Sequence, residues 1–191
     1  MSDGVVGLVV SAAGGAELVR SQLVEPLMAK GWSVAVTATP TAMTWLEEEG
    51  EVARLEAVTG WPVRSAPRLP RMVSPHPQVD CYAVVPASAN TVAKIALGLA
   101  DNQALTQVCE AVGGQQIPVV IFPRVNAAHA GQPAWESHLA ALRRAGVRLV
   151  YGEDVWPLHG PRSAPGRELP WADILRMIDE ATSEAVSRRH A

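Results

Sequence analysis

A chain of 191 residues suits a single domain of ordinary to large size, with a core big enough to stand alone. Its 48% apolar and 18% charged residues exclude the disordered class, and a net charge of −3 excludes nucleic acid or an anionic membrane as the main partner. The two cysteines, Cys81 and Cys109, make neither a disulfide framework nor a metal-ligand spacing, so no metal site is expected. They fit a reducing compartment. Met1 to Gly4 is short and acidic, without a basic stretch or a cleavage-like site, and no apolar run approaches the ~20 residues that span a bilayer. The expectation is a soluble, cytoplasmic protein.

Val5 to Val10 is a short continuous apolar run, which predicts a buried strand. Ser11-Ala12-Ala13-Gly14-Gly15-Ala16 follows as a small-residue turn. A helix is expected from about Glu17 to Lys30, with Leu18, Leu23, Val24, Leu27 and Met28 at helical spacing and Gly31 as its stop. Pro26 inside this pattern predicts a kink. Strand, small-residue turn and helix together expose backbone N–H groups to an anion. The Gly14-Gly15 spacing matches neither the dinucleotide fingerprint nor the phosphate-loop motif, so NAD and ordinary ATP chemistry lose ground. A phosphate of a smaller cofactor and a plain tight turn both stay open.

Ser33 to Thr37 predicts a second strand, after which Thr39 is placed to cap a helix with Pro40 at its first position. Thr39 and Thr41 bring hydroxyls to the same edge as Ser11 to Gly15, the carboxyl edge on which open α/β sheets bind ligands. Val52 to Val58 predicts a short helix. Arg64 to Gln78 carries Pro67, Pro70, Pro75 and Pro77 and is expected to be irregular. His76, between two of those prolines, is either a solvated loop residue or a group held just before the next strand.

Asp80 to Val85 predicts the third strand, Pro86 to Thr91 a turn, and Thr91 to Ala100 a helix with Val92, Ile95, Ala96 and Leu99 on one face. Ser88, Asn90 and Thr91 put short polar side chains where helix-initial N–H groups are unpaired. Spacing alone leaves two readings, a capped helix or a ligand-binding wall. Ile117 to Phe122 and Val147 to Tyr151 predict two further strands. Gly152 to Pro170, rich in Pro, Gly and Arg, is either a lid or a surface linker. Trp171 to Val186 is amphipathic and predicts a helix packed on the sheet.

Pro86-Ala87-Ser88-Ala89-Asn90-Thr91, continued by Lys94-Ile95-Ala96 and Gly98-Leu99-Ala100-Asp101-Asn102, resembles the homo-oligomeric flavin-containing cysteine decarboxylases. These include phosphopantothenoylcysteine decarboxylase and the peptidyl-cysteine decarboxylases of lantibiotic-type peptide maturation. Flavin prenyltransferases share the fold more distantly. Ser11 to Ala16 stands where that family has its phosphate turn, and Thr39-Pro40-Thr41-Ala42 resembles its T-x-S-A. Pro123-Arg124-Val125-Asn126-Ala127-Ala128-His129-Ala130, through Pro133-Ala134, resembles its P-x-M-N-x-x-M-W-x-x-P-A signature, followed by a helix from Ala134 to Ala145.

The resemblance implies a Rossmann-like, three-layer α/β/α fold with a mainly parallel central sheet of flavodoxin-like order, in a single domain covering residues 1–191. It implies FMN as cofactor, held by Ala13, Gly14, Gly15, Thr39, Thr41, Pro86, Ala87, Ser88, Asn90 and Thr91. It implies assembly in trimers or multiples of trimers, with the flavin ring near a subunit interface. The reaction implied is oxidative decarboxylation of a cysteine-like thiol, on a small molecule or a peptide, with Asn90 positioning flavin and substrate and Asn126 holding the carboxylate.

Three departures bear on catalysis. The family's histidine before the third strand falls here on Met72, with His76 the nearest substitute. His129 and Ala130 replace the Met-Trp pair, so His129 either handles protons or lines the pocket. No cysteine follows Cys109, which argues against phosphopantothenoylcysteine decarboxylase proper and favours the peptidyl-cysteine branch. The competing readings are an FMN-binding protein without decarboxylase activity and a flavin prenyltransferase-like enzyme.

Overall fold

The computed structural model describes residues 4–190. Met1 to Asp3 of the acidic N-terminal stretch, and Ala191 at the end of the expected domain, lie outside the described residues. Five strands form one sheet: β1 (Val5–Val10), β2 (Ser33–Ala38), β3 (Cys81–Ala87), β4 (Val119–Pro123) and β5 (Arg148–Leu149). Every pairing is parallel, in the order β2-β1-β3-β4-β5. Parallel neighbours require crossovers. These are built from helices α1 (Glu25–Ala29), α2 (Pro40–Glu48), α3 (Glu51–Thr59), α4 (Ala89–Ala96), α5 (Gln103–Gly114), α6 (Ala127–Ala130) and α7 (Trp135–Arg144), and α8 (Trp171–His190) ends the chain. The expected α/β class with flavodoxin-like strand order is therefore borne out.

Successive strand residues serve opposite faces of the sheet. Leu8, Val10, Val85, Val120 and Phe122 pack with Leu23 and Leu27 and with Ile174 and Ile178 of α8. Val9, Val84 and Ile121, lying between them in sequence, pack instead with Val92 and Ile95 of α4, Leu105 and Val108 of α5 and Leu139 of α7. Each such side chain contributes about 1.5–3 kcal/mol by leaving water. Covering both faces is what makes the strands read as continuous apolar runs rather than alternating ones.

Several boundaries differ from the sequence expectation for identifiable reasons. The helix expected over Glu17–Lys30 is three pieces: a 3₁₀ turn (Ala16–Leu18), a π segment (Arg20–Val24) and α1. Pro26 has no N–H for the α ladder and its ring crowds the preceding turn. The wider π register, in which the Glu25 N–H reaches the Arg20 carbonyl, accommodates it. Strand β3 runs through Pro86 to Ala87 instead of ending at the proline, and its register against β4 shifts between Val84 and Ala87, where Pro86 has no hydrogen to give. Helix α4 starts at Ala89, because Ser88 rather than Thr91 is its cap, and it stops at Ala96 before Gly98 at φ 70°. The fifth strand is reduced to Arg148–Leu149.

Helix α5 was missed altogether. Asp101-Asn102 reads as the end of the preceding helix, yet the Asn102 side chain accepts from the Leu105 N–H at 3.0 Å and opens a new one.

Candidate functional site

In this strand order the chain reverses direction between β1 and β3, and the crevice outside their carboxyl ends is the place for a ligand. Ser11, just past β1, closes the base of that crevice. Its N–H and hydroxyl both donate to the Pro86 carbonyl, at 3.2 and 2.9 Å, and its Oγ accepts from the Ser88 N–H at 2.8 Å. The family resemblance puts Ser11 at the start of the phosphate turn without assigning its side chain a role. Its buried position stitches the two turns together.

Two capped helices start at this crevice. Thr39 caps α2, its Oγ1 accepting from the Ala42 N–H at 3.4 Å, with Pro40 at the first helical position as expected. Ser88 caps α4, its Oγ accepting from the Thr91 N–H at 3.3 Å and lying 3.0 Å from the Thr91 hydroxyl. What remains unspent are the first-turn N–H groups of Thr41, Ala89 and Asn90, at the positive ends of two helix dipoles. A cavity of about 530 Å³ lies over them, lined by Ser11, Thr39, Thr41, Ser88 to Thr91 and His129. Lys94 and Asp101, paired with each other, flank it.

A second cavity of about 750 Å³ adjoins the ends of β1 and β4 and is lined by Gly14, Gly15, Arg124 and Asn126. Gly15 has φ 98°, a left-handed conformation that favours glycine, and its N–H donates to the Glu17 carboxylate at 3.0 Å. Within the Ser11–Ala16 turn, the N–H groups of Ala12 and Gly14 are left without a partner among the described residues. Asn126 caps α6: its Oδ1 accepts from the His129 N–H at 3.0 Å, which leaves its NH₂ group free to donate.

The structure thus brings Thr39, Thr41, Ser88, Asn90, Thr91 and His129 to one cavity, and Gly14, Gly15 and Asn126 to the next. Ala13 is buried and lines neither, and Pro86 and Ala87 lie within β3, behind the wall. His76 is elsewhere. It is buried, with Nε2 2.7 Å from the Pro62 carbonyl, in a third cavity beside Tyr82, Gln107 and Glu110. Burial pushes its imidazole below the usual range, the Pro62 carbonyl pulls the other way, and Arg64 adds to the depression. Neither cysteine is set up as a nucleophile: burial pushes the Cys81 thiol up to about 12 and raises Cys109 as well. Sequence reasoning also missed Lys94, Arg124, Trp156 and Arg167 as cavity residues, because nothing in their spacing marks which face they turn to.

A family model described as Flavoprotein matches residues 3–183. The chain belongs to that family. The resemblance read from the Pro86–Thr91 hexapeptide is borne out at this level. Over 71 residues the chain is 35% identical to a cysteine/cysteine sulfinic acid decarboxylase of an unidentified prokaryote, covering 37% of this chain and 19% of that protein. It is 26% identical over 183 residues to the coenzyme A biosynthesis bifunctional protein CoaBC of Escherichia coli K12, covering 92% of this chain and 42% of the relative. The chain therefore spans less than half the length of these curated relatives. Among solved structures, the FMN-dependent cysteine decarboxylase SpaF superposes with a TM-score of 0.73 at 22% identity, covering 96% of this chain and 98% of that one. The peptidyl-cysteine decarboxylase EpiD gives a TM-score of 0.58 at 21% identity, covering 78% and 86%. At such identities the superpositions establish a shared fold. Among the described residues, no helix is long and apolar enough to cross a membrane.

Proposed function

We propose that this flavoprotein binds FMN and oxidatively decarboxylates a cysteine-like thiol carboxylate, such as the C-terminal cysteine of a peptide. The observation that carries the reading is the cavity at the β1/β3 switch point, where free N–H groups of two capped helices face Asn90 and His129. The residues suit FMN. Thr41, Ala89 and Asn90 offer backbone donors and helix dipoles to a phosphate. The Asn90 amide gives and accepts hydrogen bonds at a polar ring edge. The volume lies in the usual range for a bound cofactor. FMN, when bound there, would supply the two-electron oxidant that decarboxylation of such a thiol requires.

The chain's own groups do the rest. Asn126 holds the substrate carboxylate through its free NH₂, and His129, one turn away on α6, moves the proton released from the thiol or its neighbouring carbon. The assembly proposed is a homo-oligomer, a trimer or a multiple of trimers. Exposed Leu69, Met72 and Val73 on the proline-rich segment, and Leu97 and Leu99 after α4, supply apolar surface for it. A reducing, cytoplasmic setting suits two unpaired cysteines.

The test is direct. The purified protein should show flavin absorption bands, and cysteine-ended peptides should lose carbon dioxide and two hydrogens by mass spectrometry. A colourless protein that takes up no added FMN removes the cofactor assignment. A flavin-loaded protein that leaves a broad peptide library untouched favours the second reading, FMN binding without decarboxylation. That reading is supported by the placement of His76 against Pro62, away from Asn90.

A further inference from the structure

Three arginines, Arg124, Arg162 and Arg167, line the larger cavity, against two glutamates, Glu17 and Glu168. Arg124 follows β4, and its guanidinium carbon lies 4.8 Å from the centroid of the Trp156 ring. The Arg167 guanidinium lies 4.2 Å from the centroid of the same ring. Trp156 is itself fixed, packed edge-on against Phe122 with centroids 5.6 Å apart, its indole N–H donating to the Glu168 carbonyl at 3.2 Å. The indole therefore holds two like charges close together at the cavity wall.

None of the three arginines forms an ion pair among the described residues. Glu17 is turned to the Gly15 N–H instead, and Arg167 donates to the Pro157 carbonyl. The Arg124 Nε is buried without any hydrogen-bond partner. A buried donor left unpaired is destabilising, and an arriving acceptor removes that cost.

The departing carboxylate is the wrong acceptor. A guanidinium clamped on it stabilises a charge that disappears in the transition state, which raises the barrier. The neutral NH₂ of Asn126, lining the same cavity, suits that carboxylate better.

We propose that Arg124 and Arg167, braced on Trp156, recognise a second, non-reacting anionic group of the substrate. The group is an acidic side chain next to the terminal cysteine of a peptide or the phosphate of a small thiol. This inference rests on the proposed placement of a thiol substrate in the adjoining cleft.

Peptides ending in serine in place of cysteine test binding apart from turnover. Calorimetric titration of the flavin-loaded full chain should give an affinity at least about tenfold higher for a Glu-Ser ending than for a Gln-Ser ending. A phosphoserine-Ser ending that binds more tightly still, together with competition by inorganic phosphate, assigns the site to a phosphate, and a preference for glutamate without such competition assigns it to an acidic side chain. Arg124→Gln and Arg167→Gln should each erase the preference while leaving the Gln-Ser affinity within about twofold and the flavin spectrum unchanged. Equal binding of the two endings, binding of neither, or equal losses for both in the variants overturns the proposal. So does an Arg124→Gln protein that folds but no longer retains FMN, since the anion would then be the cofactor's own phosphate. A protein that prefers the glutamate ending yet leaves cysteine peptides intact keeps this inference and discards the decarboxylase reading. Conversion of Glu-Cys and Gln-Cys endings at equal kcat/KM does the reverse.

Discussion

The crevice has two sides, and they spend their hydrogen bonds differently. On the side of β1, β2 and β3, Ser11, Thr39 and Ser88 are all engaged with neighbouring backbone, and what faces the cavity is the unspent start of two helices. On the side of β4 and residues 152–170, the cavity is lined by long side chains, among them Arg124, Arg167 and Asn126, whose NH₂ group has capacity left over. A wall made of backbone is rigid and indifferent to which small polar residue caps it. A wall made of long side chains sets specificity and tolerates change. The difference teaches that the first side is suited to a constant ligand and the second to a variable one.

The comparison breaks most readily at Phe122. It is fully buried on β4 and carries Trp156 on its edge. Phe122→Ala should lower unfolding free energy by about 3–5 kcal/mol in urea titration, with residues 152–170 cleaved faster by protease. Loss of stability without faster cleavage would mean that this segment is anchored by something other than the Phe122–Trp156 contact.

Gly15 joins the two sides. It sits at φ 98°, and a Cβ there would lie 2.4 Å from Leu169 Cδ1. Gly15→Ala should cost about 1–2 kcal/mol from the left-handed backbone. Leu169 can swing aside, so the added effect is a loosened residue 152–170 segment rather than a ruptured core. A smaller loss is expected for Ser88→Ala, about 1 kcal/mol for a lost helix cap, read as a shift in the urea midpoint with unchanged slope. If the backbone wall is as rigid as drawn, the flavin spectrum survives Ser88→Ala and is perturbed by Gly15→Ala.

Legibility follows the same division. The strands and the cap at Thr39 were readable because local chemistry decides them: apolar runs, a hydroxyl before a helix, a proline at its first position. Ser88 stood beside Asn90 and Thr91 as one of three possible caps, and the fold selects it. The strand order and the convergence of Ser11 with Pro86 were implied by the family resemblance, since contacts across 75 residues leave no local mark. Helix α5 went unread because Asn102 looks the same ending one helix as opening another. The Arg124–Trp156–Arg167 cluster joins residues from β4 and the Gly152–Pro170 segment that only folding brings together. His76 is the reverse case: a residue singled out by rarity and rigid flanks, which the fold turns toward Pro62.

His76 supplies the smallest and most discriminating measurement. Its imidazole is depressed from 6.5 chiefly by burial, against the pull of the Pro62 carbonyl. The folded value is thus below the unfolded one, so on acidification the unfolded chain takes the proton first. Stability is full above pH 6.5 and falls as the pH drops from there toward the folded value, by at most one proton's worth of slope, then levels off. His76→Gln, which keeps a donor for the Pro62 carbonyl, should flatten that part of the pH–stability curve. An NMR titration should place the His76 midpoint below 6.5. A midpoint above it that persists in Glu110→Gln would require a carboxylate from a neighbouring subunit, since Glu110 is the acidic residue that shares the His76 cavity. That result would move His76 from a buried structural group back among the candidates for proton transfer, and the second side of the crevice would then extend across an interface.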